Sequence, residues 1–346
     1  MLNLTLRDLQ YRKRQFAIAI VGAGLVFALA LLLTGVRAGF DTEARETVGA
    51  VGADGWVVEE GVTGPFTSVS GLPMEAATSV AAAEGVTEAA PFVASPNTLN
   101  AKEDLSVNLV GIEPGALGAP DPDQGQPIAG PGEVVVDQGT GSSVGDTVMI
   151  AGRRFEVVGT VEGRTYFGGQ PVVYLTLSDA QALAFDGAPL TNAIVFTGSL
   201  AEPPAGLAVL SNGAVEEDMK RVLGGAIDAI DLLRVLMWVV AAVIIGAVIY
   251  LSALERMTDF AVLKAVGSES RSLAVGLSMQ AILVSVISAL LGVALSAFLR
   301  PGFPLPTTIG IGSYVALLAI AILVGALASL AALRRVLKVD PALAFG

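Results

Sequence analysis

Gly141-Ser142-Ser143-Val144-Gly145 fits the G-x-S-x-G spacing of a nucleophile elbow, where a serine on a sharp turn attacks a carbonyl carbon. That serine needs a base to take its proton, and the chain contains no His. The motif therefore reads as a turn ahead of a strand starting at Thr147, with Asp146 beside it. With no Cys there are no thiolate nucleophiles, thiolate metal sites or disulfides; with no His there is no histidine base and no histidine-ligated zinc. A Walker-type phosphate loop ends in Gly-Lys-Ser/Thr, the lysine reaching the phosphates and the hydroxyl holding magnesium. Lys13, Lys102, Lys220, Lys264 and Lys338 are all the lysines present, and none precedes Ser or Thr. The expectation is a non-enzymatic chain without catalytic, cofactor or metal residues. Any use of ATP and Mg falls to a partner polypeptide.

One charged stretch stands out against apolar surroundings: LERMTDFAVLKAVGSES, residues 254–270. Written as a helix from Leu254 to Val266, it lines Met257, Phe260, Ala261 and Lys264 along one face. Glu255, Arg256 and Asp259 stand nearby, and Gly267 supplies a C-terminal stop. A short helix with an aromatic anchor and mixed charges suits a groove on another protein. It suits a membrane surface equally well, its apolar face among headgroups. The residues alone leave both readings open.

The elements around it are set by composition. The chain has 346 residues, of which 53% are hydrophobic and only 15% charged, too few charges for an ordinary soluble domain of this size. Four charge-free blocks, 15–36, 235–254, 272–299 and 301–333, each reach the roughly 20 helical residues that cross a bilayer core. The last opens with PGFPLPTT, so its span is expected from about Ile309. Four transmembrane helices follow: 15–38, 235–253, 272–299 and 309–333, with a short external loop over 300–308. A secretory signal is disfavoured for the first, since signal cores are shorter, ~7–15 residues. Basic residues flank its start (Arg7, Arg12, Lys13, Arg14), occupy the 254–270 loop (Arg256, Lys264, Arg271) and follow the last span (Arg334, Arg335, Lys338). The positive-inside tendency puts both termini and that loop in the cytoplasm. Residues 1–14, with Leu2, Leu6, Leu9 and Lys13 on one side, read as an amphipathic interfacial helix or a plain charged flank. Residues 334–346 form a cytoplasmic tail.

The segment 39–221 then lies outside. It carries 7 Lys and Arg against 25 Asp and Glu, a balance of −18, which makes nucleic acid an unsuitable partner. Strands are expected at 55–58, 106–112, 133–137, 147–150, 154–161, 172–176 and 193–197, separated by Gly, Pro, Asp and Asn. Helices are expected at 73–83 and 177–184, the second capped by Ser178. The reading is one α+β extracytoplasmic domain over 39–214. From Val215 the pattern is helical again, a stalk over 215–234 entering the bilayer near Val235.

ERMTDFAVLKAVGSESRSL, followed by Gln280 in the next apolar run, resembles the cytoplasmic loop of MacB/FtsX-type (type VII) ABC transporter permeases. Glu255, Arg256, Phe260, Leu263, Lys264, Ala265, Gly267 and Gln280 carry the match. NLTLRDLQYRKRQFAIAIVG is similar to the family's N-terminal helix and first span. GEVVVDQGTGSSVGDTVMIAGRRFEVVGTVEG is similar to a stretch of its outer domain, and RRVLKVDPALAF to its closing segment. The chain lacks the ATPase domain that MacB carries, and its outer domain is larger than FtsX suggests.

The resemblance implies a permease subunit in a bacterial plasma membrane, working as a homodimer with two copies of a cytoplasmic ATPase that binds ATP and Mg. ATP-driven closure of the ATPases would move a coupling helix over 254–270 and reshape the outer domain, a process called mechanotransmission. Phe260 and Leu263 would be apolar anchors of that helix; Glu255, Arg256, Asp259 and Lys264 would be polar contacts. Three functions remain open on these residues. They are export or extraction of a hydrophobic or peptide-like molecule, signalling to an extracytoplasmic protein or cell-wall enzyme without cargo, and a membrane-anchored scaffold without an ATPase.

Overall fold

A computed structural model of the chain describes residues 13–68, 70–100, 104–266, 270–302, 305 and 307–337. Most of the expected amphipathic segment over 1–14 and most of the tail fall outside them; Lys13 and Arg14 already belong to the first long helix. Two compact units emerge: Phe40–Gly225, and a second built from the chain up to Gly39 together with the chain from Ala226 onward.

The second unit contains four helices long and apolar enough to cross a membrane. Helix α1 (Lys13–Ala50) continues past the apolar block, so its last turns belong to the other unit. Later come α5 (Gly224–Glu255), α7 (Ser270–Leu299) and α8 (Ile311–Leu337), with the short α6 (Met257–Ala265) between α5 and α7. Small residues set the helix spacing. A Cβ on Gly292 of α7 would lie 2.9 Å from Phe27 and 3.0 Å from the carbonyl of Gly24 in α1. One on Gly325 of α8 would lie 2.7 Å from the backbone of Ile282 in α7. Backbones touch there, which lets interhelical dispersion contacts form without a hydrophobic drive in lipid. Ser329, four residues on from Gly325, shares a 3.2 Å hydrogen bond with Ser278, so the small-residue spacing of α8 does face α7.

The first unit is a mixed α/β domain. Its strands are β1 (Gly55–Glu59), β2 (Leu72–Pro73), β3 (Val86–Asn100), β4 (Asp104–Ile112), β5 (Gln124–Gly125), β6 (Glu133–Asp137), β7 (Thr147–Ile150), β8 (Arg153–Val161), β9 (Thr165–Tyr166), β10 (Gln170–Thr176), β11 (Leu190–Thr191), β12 (Ala193–Gly198) and β13 (Leu207–Ser211). Helices α2 (Met74–Ala81), α3 (Leu177–Ala184) and α4 (Asn212–Val222) complete it. All seven expected strands and both expected helices are present, while β3, β13 and four two-residue strands were not anticipated. Strands β3, β4, β10, β6, β8 and β7 pair in a closed ring, and β12, β1 and β13 extend the other half of β3.

Side-chain alternation explains the ring. Val107 and Leu109, Val134 and Val136, Val148 and Ile150, Phe155 and Val157, and Val173 and Leu175 share one buried cluster. Their neighbours Val110, Val135, Val172 and Tyr174 join a second cluster with Ala44 and Val48 of α1 and Val215 and Met219 of α4. Strands covered on both faces read as continuous apolar runs, as EVVVD and QPVVYLT do.

Strand β3 was hidden by Pro91 and Pro96, which argue against an interior strand. Its first half pairs only with β12 and the middle of its second half only with β4. Phe92 and Ala94 donate their N–H groups to Thr191 Oγ1 and Asn192 Oδ1 on the β12 side. Backbone alternation then turns the missing N–H of Pro91 away from β12 and that of Pro96 away from β4. Neither proline removes a ladder bond.

Two local expectations are corrected. The cap of α3 is Thr176, whose Oγ1 accepts from Asp179 N at 3.2 Å, because the strand stays extended until that residue. The stretch expected as one stalk helix over 215–234 is divided: α4 ends at Val222, α5 begins at Gly224, and the Leu223 amide closes α4 onto the Lys220 and Arg221 carbonyls. Gly224 and Gly225 supply weak helix formers at the break.

Candidate functional site

Helix α5 ends at Glu255 and α6 begins at Met257, so the 254–266 stretch is not one helix but two, parted at Arg256. The Phe260 amide bonds back to the Arg256 carbonyl at 3.0 Å, which starts the new helix. Phe260 is 4% exposed and Ala261 fully buried, and both lie at the foot of the helix bundle. Phe260 shares a cluster there with Phe16, Ala253 and Leu277. The aromatic ring expected as an outward anchor therefore points into the bundle. Burying a phenylalanine against neighbouring apolar helices is worth about 1.5–3 kcal/mol over leaving it in water, which decides its direction.

Arg256 folds over that ring, its guanidinium carbon 5.4 Å from the centroid, with Nε 3.9 Å from Asp259. Among the residues of this stretch whose side chains are described, Glu255, Thr258, Asp259, Val262 and Val266 are exposed. Those positions recur at helical spacing, and Val266 is 82% exposed. The sequence did not single out the exposure of Thr258, Val262 and Val266, since two apolar faces were available and nothing local said which would meet α1 and α7. Leu263 and Lys264 lie on α6, with their side chains outside the described set, as is Gly267 altogether. Gln280 is buried in α7, and its Nε2 finds no partner among the described residues; neither does the Ser252 hydroxyl near the end of α5.

The opposite end of the bundle carries charge. Arg37 of α1 pairs with Asp231 of α5, whose second oxygen accepts from Arg234 at 2.9 Å. Arg234 lies 5.7 Å over the Trp238 ring. Gly35 and Thr308 join the same end, the Thr308 amide donating to the Gly35 carbonyl at 2.9 Å. Asp231 and Arg234 are thus paired with protein partners, as charges near lipid require.

The elbow-like motif is a turn. Ser143 N donates to Asp146 Oδ2 at 2.8 Å, Asp146 N returns to the Ser143 carbonyl at 3.0 Å, and Gly141 and Gly145 take left-handed conformations before β7. It borders a groove of about 790 Å³ lined by Asn100, Leu105, Thr140, Ser142, Thr147 and Met149. Among the described residues no group of three or more His, Cys, Asp or Glu could hold a metal ion.

Comparison with known proteins agrees in both halves. Residues 16–211 match the MacB-like periplasmic core domain and residues 232–341 the FtsX-like permease C-terminal domain. An uncharacterized ABC transporter permease of Mycobacterium tuberculosis is 41% identical over 347 residues, covering 100% of this chain and 99% of the relative. A second permease from that organism is 40% identical over 349 residues with the same coverage. The periplasmic region of MacB from Actinobacillus actinomycetemcomitans aligns with a TM-score of 0.38 at 15% identity, covering 51% of this chain and 96% of that one. Four long apolar helices, one before and three after a mixed α/β domain, and relatedness along the whole length give one conclusion: the chain belongs to the MacB/FtsX family of ABC transporter permeases, multi-pass membrane subunits that work with a partner ATPase.

Proposed function

We propose that the chain couples ATP binding and hydrolysis by a separate cytoplasmic ATPase to movement of its 55–222 domain, in export or extraction of a hydrophobic or peptide-like substrate. The observation that carries this is α6: a separate short helix between two apolar helices, its inner face seated in the bundle and its outer side presenting Thr258, Asp259 and Val262, with the exposed Glu255 and Val266 flanking it. A push on that face moves Phe260, and with it the ends of the helices packed around it. Two ATPase copies on a homodimer of this chain would act on two such faces, with both termini and α6 in the cytoplasm. With Phe260 turned into the bundle, the exposed Val262 and Val266 would be apolar contacts with the ATPase, together with Leu263, and Lys264 a polar one. ATP and Mg belong to the ATPase.

Affinity purification of the full chain from its native membrane tests the reading. A P-loop ATPase should co-purify, and Val262→Asp should reduce its recovery about tenfold or more, as loss of a central apolar contact does. Recovery of the ATPase at full yield with Val262→Asp and Val266→Asp together would overturn the coupling assignment. Accumulation of one hydrophobic compound in deletion cells supports transport. A cell-wall defect without such accumulation would reassign the output to signalling.

A further inference from the structure

Two loops of the α/β domain are each held by one buried carboxylate, and the two carboxylates come from different helices. Glu43 of α1, 7% exposed, accepts from Thr165 Oγ1 at 2.6 Å, from Gly169 N at 2.8 Å and, through its other oxygen, from Gly168 N at 2.8 Å. Neighbouring turns of α1 grip the same loop. Thr47 Oγ1 donates to the Thr165 carbonyl at 3.1 Å, and a Cβ on left-handed Gly168 would lie 3.1 Å from the Phe40 ring. Asp218 of α4 is fully buried and accepts from Phe66 N at 2.9 Å, from Thr67 N at 3.3 Å and from Thr67 Oγ1. Gly64 leaves room for it: a Cβ there would lie 2.2 Å from the carboxyl carbon.

The two loops also meet. Phe66 packs edge-on against Tyr166 at 5.6 Å and Phe167 at 6.1 Å between ring centroids. Phe167 is held at φ +50, a conformation costly for an aromatic residue, which persists only when its surroundings impose it. Two residues beyond Asp218, Lys220 bridges to Asp41 of α1 at 3.4 Å. An apolar contact would hold a loop as well as a buried carboxylate does, without the desolvation. What the carboxylate adds is direction: it fixes particular amides to a particular helical turn.

We propose that Glu43 and Asp218 are paired latches, each tying one loop to one helix, and that the Phe66–Tyr166–Phe167 contact joins the loops so that displacement of either helix reaches both. The role in an ATP cycle rests on the coupling function proposed above; the latch itself does not.

Hydrogen–deuterium exchange on the full chain in lipid nanodiscs separates these. Glu43→Gln and Asp218→Asn should each raise exchange about tenfold at both loops, 66–67 and 168–169, with the β6 and β10 amides unchanged. Loosening confined to the variant's own loop, or none, would overturn the proposal. In a Phe66→Ala background, Glu43→Gln should loosen 168–169 alone; persistence of the effect at 66–67 would also overturn it. If a carboxylate variant exposes β6 and β10 and so fails to fold, Thr165→Val and Thr67→Val each remove one donor at equal volume. They should give the same two-loop pattern at about threefold. Adding the ATPase with a non-hydrolysable nucleotide should shift both loops in the wild type. Loops that respond to the variants but not to nucleotide would support the latch and count against the ATP-coupled reading.

Discussion

Tyr166 of β9 and Tyr174 of β10 are buried in the same apolar cluster, and burial governs their acidity. Loss of water raises the Tyr166 phenol well above 10.0, with Tyr174 adding to the shift, and raises Tyr174 to about 12. A raised folded value means that the neutral phenols contribute stability in full below pH 10, and that this contribution is lost as pH climbs through the folded values. Alkaline titration should therefore unfold the α/β domain between pH 10 and about 12. Tyrosinate absorbance from these two residues should appear with unfolding; ionisation at pH 10 in a domain still folded by circular dichroism would contradict their burial. Gly292 makes a second single-residue case. Gly292→Ala puts a methyl group against Phe27 and the α1 backbone and should destabilise the helix unit by about 1–3 kcal/mol, read as a lower thermal midpoint in detergent.

At the scale of elements, the two interruptions of the helices shape what can be tested. Arg256 separates α5 from α6, and α6 turns Phe260 inward. Phe260→Asp should therefore lower the stability of the helix bundle, since it buries a charge, and lose the ATPase only as a consequence. Val266→Asp should leave the thermal midpoint unchanged and weaken ATPase recovery on its own. Equal midpoints for both variants would mean that Phe260 is not seated in the bundle. The regular strands were legible because alternation and turn residues survive in a short window, as at Glu133–Asp137 and Ala193–Gly198. Strand β3 was not, because its prolines are tolerated by a pairing pattern that only the folded sheet reveals. The outward face of α6 was hidden for the same reason: Met257, Phe260 and Ala261 form as good a stripe as Thr258, Val262 and Val266 until α1 and α7 occupy one side.

For the whole molecule, charge segregation was readable from composition alone. Residues 39–221 carry −18 of a total of −12, so the rest of the chain is net basic. That asymmetry, together with the four apolar helices, carries the proposed orientation. The natural lack of cysteine makes it testable in the intact protein. A membrane-impermeant maleimide should label Val144→Cys on whole cells, and Val266→Cys only after permeabilisation. The reverse pattern would invert the topology and remove α6 from reach of any cytoplasmic ATPase. The family, too, was legible in order and spacing of motifs, whereas the paired carboxylates were not. Glu43 and Asp218 are separated by 175 positions and join through loops whose Gly and Phe residues announce nothing on their own.

Helix α5 is bounded by single-residue breaks at Leu223 and Arg256 and is otherwise unbroken over 32 residues. At 1.5 Å per residue it is about 48 Å long, well beyond the ~30 Å of a bilayer core. In the coupling proposed above, a rod of that length would act as a lever with its fulcrum in the lipid. Tilting it by about 10° sweeps each tip through roughly 4 Å, most of a helical turn. Only the side chains close to the fulcrum would stay nearly in place, while the two tips would travel in opposite senses.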